Sequence, residues 1–158
     1  MNEERRKRNE EGQRQSGPGV RVAPGENENK RIERHPEPED IEERTLRYGV
    51  RAVRLFRVLQ NGNDRAGWIV GKQFLRSATS VGANVAEARA AESQRDFIHK
   101  LQVAQKEARE SLYWLRLFAE AAILPTKKLA DLTRETDEIL RILVAITRNT
   151  KRNANSER

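Results

Sequence analysis

From Asp40 onward apolar residues return at intervals of three and four, and no stretch sustains a period of two. That pattern predicts helices and no strands. Four segments can be delimited. The first covers 40–60 and stops at the turn formers Asn61-Gly62-Asn63-Asp64. The second covers 68–91. The third, 93–123, opens on Ser93-Gln94-Arg95-Asp96, the spacing of an N-cap with an acid three residues on, and closes ahead of Pro125. The fourth covers 126–149, with Thr126 as its cap.

Successive helical residues lie about 100° apart, which gives each segment one apolar stripe. Helix one offers Ile41, Tyr48, Ala52, Phe56 and Leu59, widened by Val53; helix two offers Phe74, Ala78, Val81, Val85 and Ala88. Helix three has Phe97, Leu101, Ala104, Ala108, Ser111, Leu115, Phe118 and Ala122; helix four has Leu129, Leu132, Thr136, Ile139, Leu140, Leu143 and Ile146. Four such stripes on short connections predict an all-α fold, an antiparallel up-down-up-down four-helix bundle. The ends differ from this middle. Residues 1–39 hold four of the five prolines and four of the nine glycines, and no aromatic residue. They bury too little to offset the entropy of ordering, so they are expected to form a disordered polar tail. The bundle is expected over 40–150, followed by a frayed basic C-terminus at 151–158, whose charge suits a helix end.

Helix three carries more apolar surface than one core stripe uses. Val103, Tyr113, Trp114 and Leu117 lie on a second flank, which predicts an oligomer interface; burial within a single chain is the competing reading. Helix two carries a polar stripe, Ser77, Ser80, Asn84 and Glu87, spaced 3, 4 and 3. Lys100, Glu107 and Trp114 recur every seven residues on helix three, along an equivalent border. Hydroxyls and a carboxylate alone supply no base, metal set or oxyanion arrangement, so the stripe is expected to be structural.

Net charge is +7, and it is unevenly placed. Residues 1–40 hold 9 Lys and Arg against 10 Asp and Glu, leaving 31 − 9 = 22 against 24 − 10 = 14 for the rest, or +8. Arg44, Arg47, Arg51, Arg54 and Arg57 fall within about 140° of arc on helix one. A guanidinium fork suits phosphate, so this stripe predicts sequence-nonspecific binding of RNA or DNA; a merely solubilising face is the alternative.

Candidate chemistry is sparse. There is no cysteine, hence no disulfide or thiolate site. Asp96-x-x-His99 is a single acid-x-x-His element, where a di-iron bundle needs two and two further inward carboxylates. No phosphate loop, zinc spacing or nucleophile elbow occurs. The expectation is a non-enzyme with no cofactor and no metal. No run of 18 apolar residues occurs, and MNEERRKRNEEG lacks a signal-peptide core, so no membrane partner and a cytoplasmic location are expected.

The segment 75–117, LRSATSVGANVAEARAAESQRDFIHKLQVAQKEARESLYWLRL, resembles the signature of four-helix-bundle proteins related to the 23S rRNA intervening-sequence protein. The resemblance rests on Arg76-Ser77, Ser80, Gly82-Ala83-Asn84, Glu87-Ala88, Ala91-Glu92-Ser93, Asp96-Phe97, Lys100, Lys106-Glu107-Ala108, Glu110 and Tyr113-Trp114-Leu115, with Glu42-Glu43-Arg44-Thr45 as lead-in. It extends over 40–149. Many relatives carry Asn-Ile-Ala-Glu-Gly where this chain has Asn84-Val85-Ala86-Glu87-Ala88. The resemblance implies a bundle that closes into a homopentameric ring with a central channel. One branch of the family comprises the basic accessory variability proteins of diversity-generating retroelements, which bind nucleic acid and a reverse transcriptase. The implied partners are therefore further copies of the chain, RNA or DNA, and a reverse transcriptase or another protein. Ser80, Asn84 and Glu87 carry over as structural or interface positions. Together these readings lead to a non-enzymatic oligomeric scaffold that binds nucleic acid as an accessory protein, or alternatively to a protein-interaction module that binds none.

Overall fold

A computed structural model describes residues 40–156; the tail expected at 1–39 and residues 157–158 lie outside the described residues. It contains four helices: α1 (Ile41–Gln60), α2 (Arg65–Arg89), α3 (Gln94–Glu120) and α4 (Thr126–Ser156). Three start on side-chain caps that satisfy otherwise orphaned amides. Asp40 accepts from the Glu42 amide at 3.1 Å, Asp64 from Gly67 at 3.0 Å and Ser93 from Asp96 at 3.1 Å.

Helix α2 ends at Arg89, two residues short of the expected 91, and three further boundaries depart from the sequence pattern, each for a local reason. Asp64, grouped above with the turn, caps the next helix, so α2 begins at Arg65 and not Trp68. Helix α3 ends at Glu120 because Ala122 enters the left-handed region at φ 53°. The Ile123 amide then bonds the Phe118 carbonyl at 2.9 Å and Ala122 bonds Ala119 at 3.1 Å, the paired closure of a helix on a left-handed residue. Fraying expected from Lys151 gives way to helix through Ser156. Nothing after Pro125 breaks the chain, its Lys, Arg and Ala residues favour helix, and Thr150 and Ala154 remain half-buried.

Neighbouring helices run antiparallel, as their cross-contacts show. Ser77 meets Ser111 while Glu87 meets Lys100 across α2–α3; Gln94 meets Thr150 while Gln105 meets Thr147 across α3–α4. Contacts are dense along α1–α2, α2–α3 and α3–α4, and thinner where α4 closes on α1. The fold is the all-α four-helix bundle expected. Its centre is Tyr48, Phe74, Leu101, Leu115, Phe118, Ile139 and Leu143, none more than 2% exposed. Phe74 and Phe118 pack edge to face at 5.8 Å. Ala52, Ala78, Ala104 and Ala108 are fully buried, so the backbones approach closely where these positions meet. Gly71 serves the same end at the α1–α2 crossing: a β-carbon there would stand 2.9 Å from Leu59 Cδ1 and 3.3 Å from Phe56 Cδ2.

Apart from one Glu107 oxygen, the buried side-chain polar atoms among the described residues are paired, as a low-dielectric interior requires. The Thr136 hydroxyl donates to Tyr48 Oη at 3.1 Å, and the Ser77 and Ser111 hydroxyls hydrogen-bond to each other at 2.9 Å. Burial pushes the Tyr48 phenol up, opposed by the Ser111 and Thr136 hydroxyls. Gln105 spans to α4, donating to Thr147 Oγ1 at 2.8 Å and the Leu143 carbonyl at 3.2 Å. Among the described residues no helix is long and apolar enough to cross a membrane.

Candidate nucleic-acid interface

The α1 arginines divide into two groups once the bundle is assembled. Arg44 faces α4, where its Nε donates to Glu135 Oε1 at 2.7 Å and its Nη2 reaches Glu135 Oε2 and Glu138. Its side chain is only 20% exposed. The hydrogen bond from Arg44 holds the Glu135 carboxyl below the usual range, against an opposing effect of burial. Two α4 acids, Glu135 and Glu138, thus take Arg44 out of the proposed phosphate stripe. It is the clasp of the thin α1–α4 seam. Arg47 is exposed and stands 3.8 Å from Glu43, one turn earlier. Arg51 is half-buried, and Arg54 and Arg57 are exposed. These last three make no ion pair among the described residues.

The polar stripe of α2 lies on the α2–α3 seam. Ser77 is buried against Ser111, the Asn84 amide donates to the Ser80 carbonyl at 2.8 Å, and Glu87 accepts from Lys100 at 2.5 Å. Arg76 and Glu110 extend the seam at 2.7 Å, and Trp114 Nε1 donates to the same Glu110 oxygen at 3.1 Å. Glu107 contributes the one buried side-chain atom without a hydrogen-bond partner among the described residues, its Oε2. The seam holds donors and carboxylates in pairs. His99 is exposed.

Of the residues placed at an oligomer interface, Tyr113 is 58% exposed and stacks edgewise on Trp114 at 4.8 Å. Val103, Trp114 and Leu117 are half-buried. Sequence reasoning passed over a second apolar surface. Leu46 and Val50 are 60% and 42% exposed beside a groove of about 580 Å³. Its walls are Leu46, Val50 and Val53, and it is lined further by Gly82, Ala83 and Ala86. The signal was present: Leu46, Gly49 and Val53 share one side of α1, next to the core stripe. Of these, the sequence pattern assigns Val53 to the core stripe as its widening.

The fold defines a small antiparallel four-helix-bundle protein, with a formal net charge of +7 over the whole chain. The sequence profile of the family described as 23S rRNA-intervening sequence protein matches residues 50–145, and the chain belongs to that family. A crystal structure of a protein of unknown function, from the S23 ribosomal protein family of Bacteroides thetaiotaomicron, is similar to it. The two are 36% identical, with 68% of this chain and 98% of that chain covered and a TM-score of 0.64. No curated protein matches.

Proposed function

We propose that the chain is a non-enzymatic scaffold that self-assembles and holds RNA or DNA on its basic exterior without reading sequence. The observation that carries this is a set of cations outside any ion pair, of which, among the described residues, Arg51 alone feels a carboxylate, that of Glu135. Arg76, Arg89, Arg134 and Arg141 are each bound to a carboxylate, whereas Arg51, Arg54 and Arg57 have no such partner among the described residues. Solubility alone is served by interspersed signs; a run of one sign raises a field that a polyanion relieves, with release of its counterions. Self-assembly is supported by two different apolar faces, the α1–α2 groove and the Tyr113–Leu117 flank of α3. A closed ring, such as a homopentamer, joins each copy to the next through unlike surfaces and so needs two. The groove also favours a second reading, a protein-interaction module that binds no nucleic acid.

Fluorescence anisotropy with labelled RNA separates these readings. The parent is expected to bind, in the micromolar range or weaker at physiological salt, roughly 10⁻⁴ to 10⁻⁶ M. Replacing Arg51, Arg54 and Arg57 by Glu is expected to lower that affinity at least tenfold (an order-of-magnitude expectation, about 1.4 kcal/mol) while circular dichroism is unchanged. Undiminished affinity in the triple variant excludes α1 as the contact surface. A parent that binds no RNA leaves the protein-interaction reading.

A further inference from the structure

One stretch of the α3–α4 surface carries five cations and no lining carboxylate. Lys106 and Arg109 border a hollow of about 270 Å³ on α3. Arg148, Lys151 and Arg152 border a second of about 370 Å³, and Gln102 and Gln105 line both. None of the five cations makes an ion pair among the described residues. Arg109 only reaches back to the Gln105 carbonyl at 3.4 Å.

Several other arginines of the same two helices stand against acids. Asp137 holds Arg141 at 2.6 Å, Asp131 holds Arg134 at 2.8 Å, and Glu120 stands 3.8 Å from Arg116. Around the two hollows no acid stands among the lining residues, and the five exposed cations face solvent there. Their base is fixed, because Gln105 is tied to Thr147 and to the Leu143 carbonyl on α4. At 1.5 Å per residue, Arg148 and Arg152 start about 6 Å apart along α4 and Lys106 and Arg109 about 4.5 Å apart along α3. Adjacent helix axes add a lateral spacing of about 8–10 Å. Several phosphates of one backbone can be met at once on such a platform. Neither hollow is lined by Phe, Tyr or Trp, and His99 at the edge of the first is the one ring on which an unstacked base could rest. That favours a duplex, whose bases are already stacked, over a single strand.

We infer that this α3–α4 groove is a contact track for the phosphate backbone of a nucleic-acid duplex. The inference rests on the nucleic-acid reading above and adds a site separate from the α1 arginines. The test uses the full chain, a labelled mixed-sequence RNA duplex and one of its strands, in anisotropy titrations over a range of salt. The variant carries Lys106→Gln, Arg109→Gln, Arg148→Gln, Lys151→Gln and Arg152→Gln, all at exposed positions, and circular dichroism melting checks that it folds as the parent does. Its duplex affinity is expected to fall by about tenfold or more, and the slope of log affinity against log salt to shrink by about 0.9 for each contact removed. Equal affinity and slope in parent and variant overturn the groove and leave the broader function standing. A variant that loses the single strand but keeps the duplex overturns the duplex assignment. A parent that binds neither probe removes the functional reading itself, and the groove with it.

Discussion

Phe118→Ala is expected to destabilise the bundle by about 3–5 kcal/mol, the usual cost of truncating a fully buried aromatic ring. Two features put the loss at the upper end. Phe118 is 0% exposed and meets Phe74 edge to face at 5.8 Å, so the substitution removes a paired ring as well as its volume. Its backbone carbonyl also accepts the Ile123 amide at 2.9 Å and the Leu124 amide at 3.4 Å, so a shift at this position reaches the α3–α4 turn. Domains have a total stability of about 5–15 kcal/mol, so the variant should melt many degrees lower in a urea or thermal scan. Phe118→Leu should recover most of the loss by refilling the space. A Phe118→Ala protein within about 1 kcal/mol of the parent would show that the aromatic pair is not the anchor of the core.

Leu46→Asp combined with Val50→Asp is expected to reduce the assembly to single chains of 18.2 kDa in light scattering. Both side chains are exposed in the isolated bundle, at 60% and 42%, so the change costs the fold little. In the proposed assembly they would be covered, and an unpaired carboxylate buried there would cost several kcal/mol per copy. A ring with unlike contacts makes a second demand: Tyr113→Asp, on the other face, should give the same 18.2 kDa species. This residue is a cleaner probe than Trp114, which is half-buried, packs on the core and donates to Glu110 at 3.1 Å. Its replacement would unsettle the fold together with any interface. An unchanged mass in both variants would place the contacts elsewhere.

The fold was legible because each helix repeats its apolar positions with one period. Phe74, Ala78, Val81, Val85 and Ala88 are all buried as their phase predicts. So are Leu129, Leu132, Thr136, Ile139 and Leu143. The Ser93 cap was equally plain, since its spacing to Asp96 is a local signal. Helix ends were less legible, because they depend on backbone geometry that no single residue announces; Ala122 at φ 53° is an alanine where glycine is usual. The basic surface was the least legible. Arg44 belongs to the α1 stripe by phase, yet Glu135 and Glu138 stand 91 and 94 residues away in sequence and reach it only in the closed bundle. The grouping of the α3–α4 cations was missed for the converse reason. Lys106 and Arg109 look isolated on α3, and only packing brings them to the same groove as Arg148, Lys151 and Arg152.

Charge left without a partner underlies the functional account, and salt is its most direct probe. The measurement is the affinity of the unaltered chain for a mixed-sequence RNA duplex, titrated at salt concentrations between about 50 and 200 mM. The account predicts a straight, falling log–log line with a loss of about a hundredfold across that range, as roughly four phosphate contacts at about 0.9 each would give. An affinity that stays level as salt rises, or no binding at the lowest salt, would contradict it.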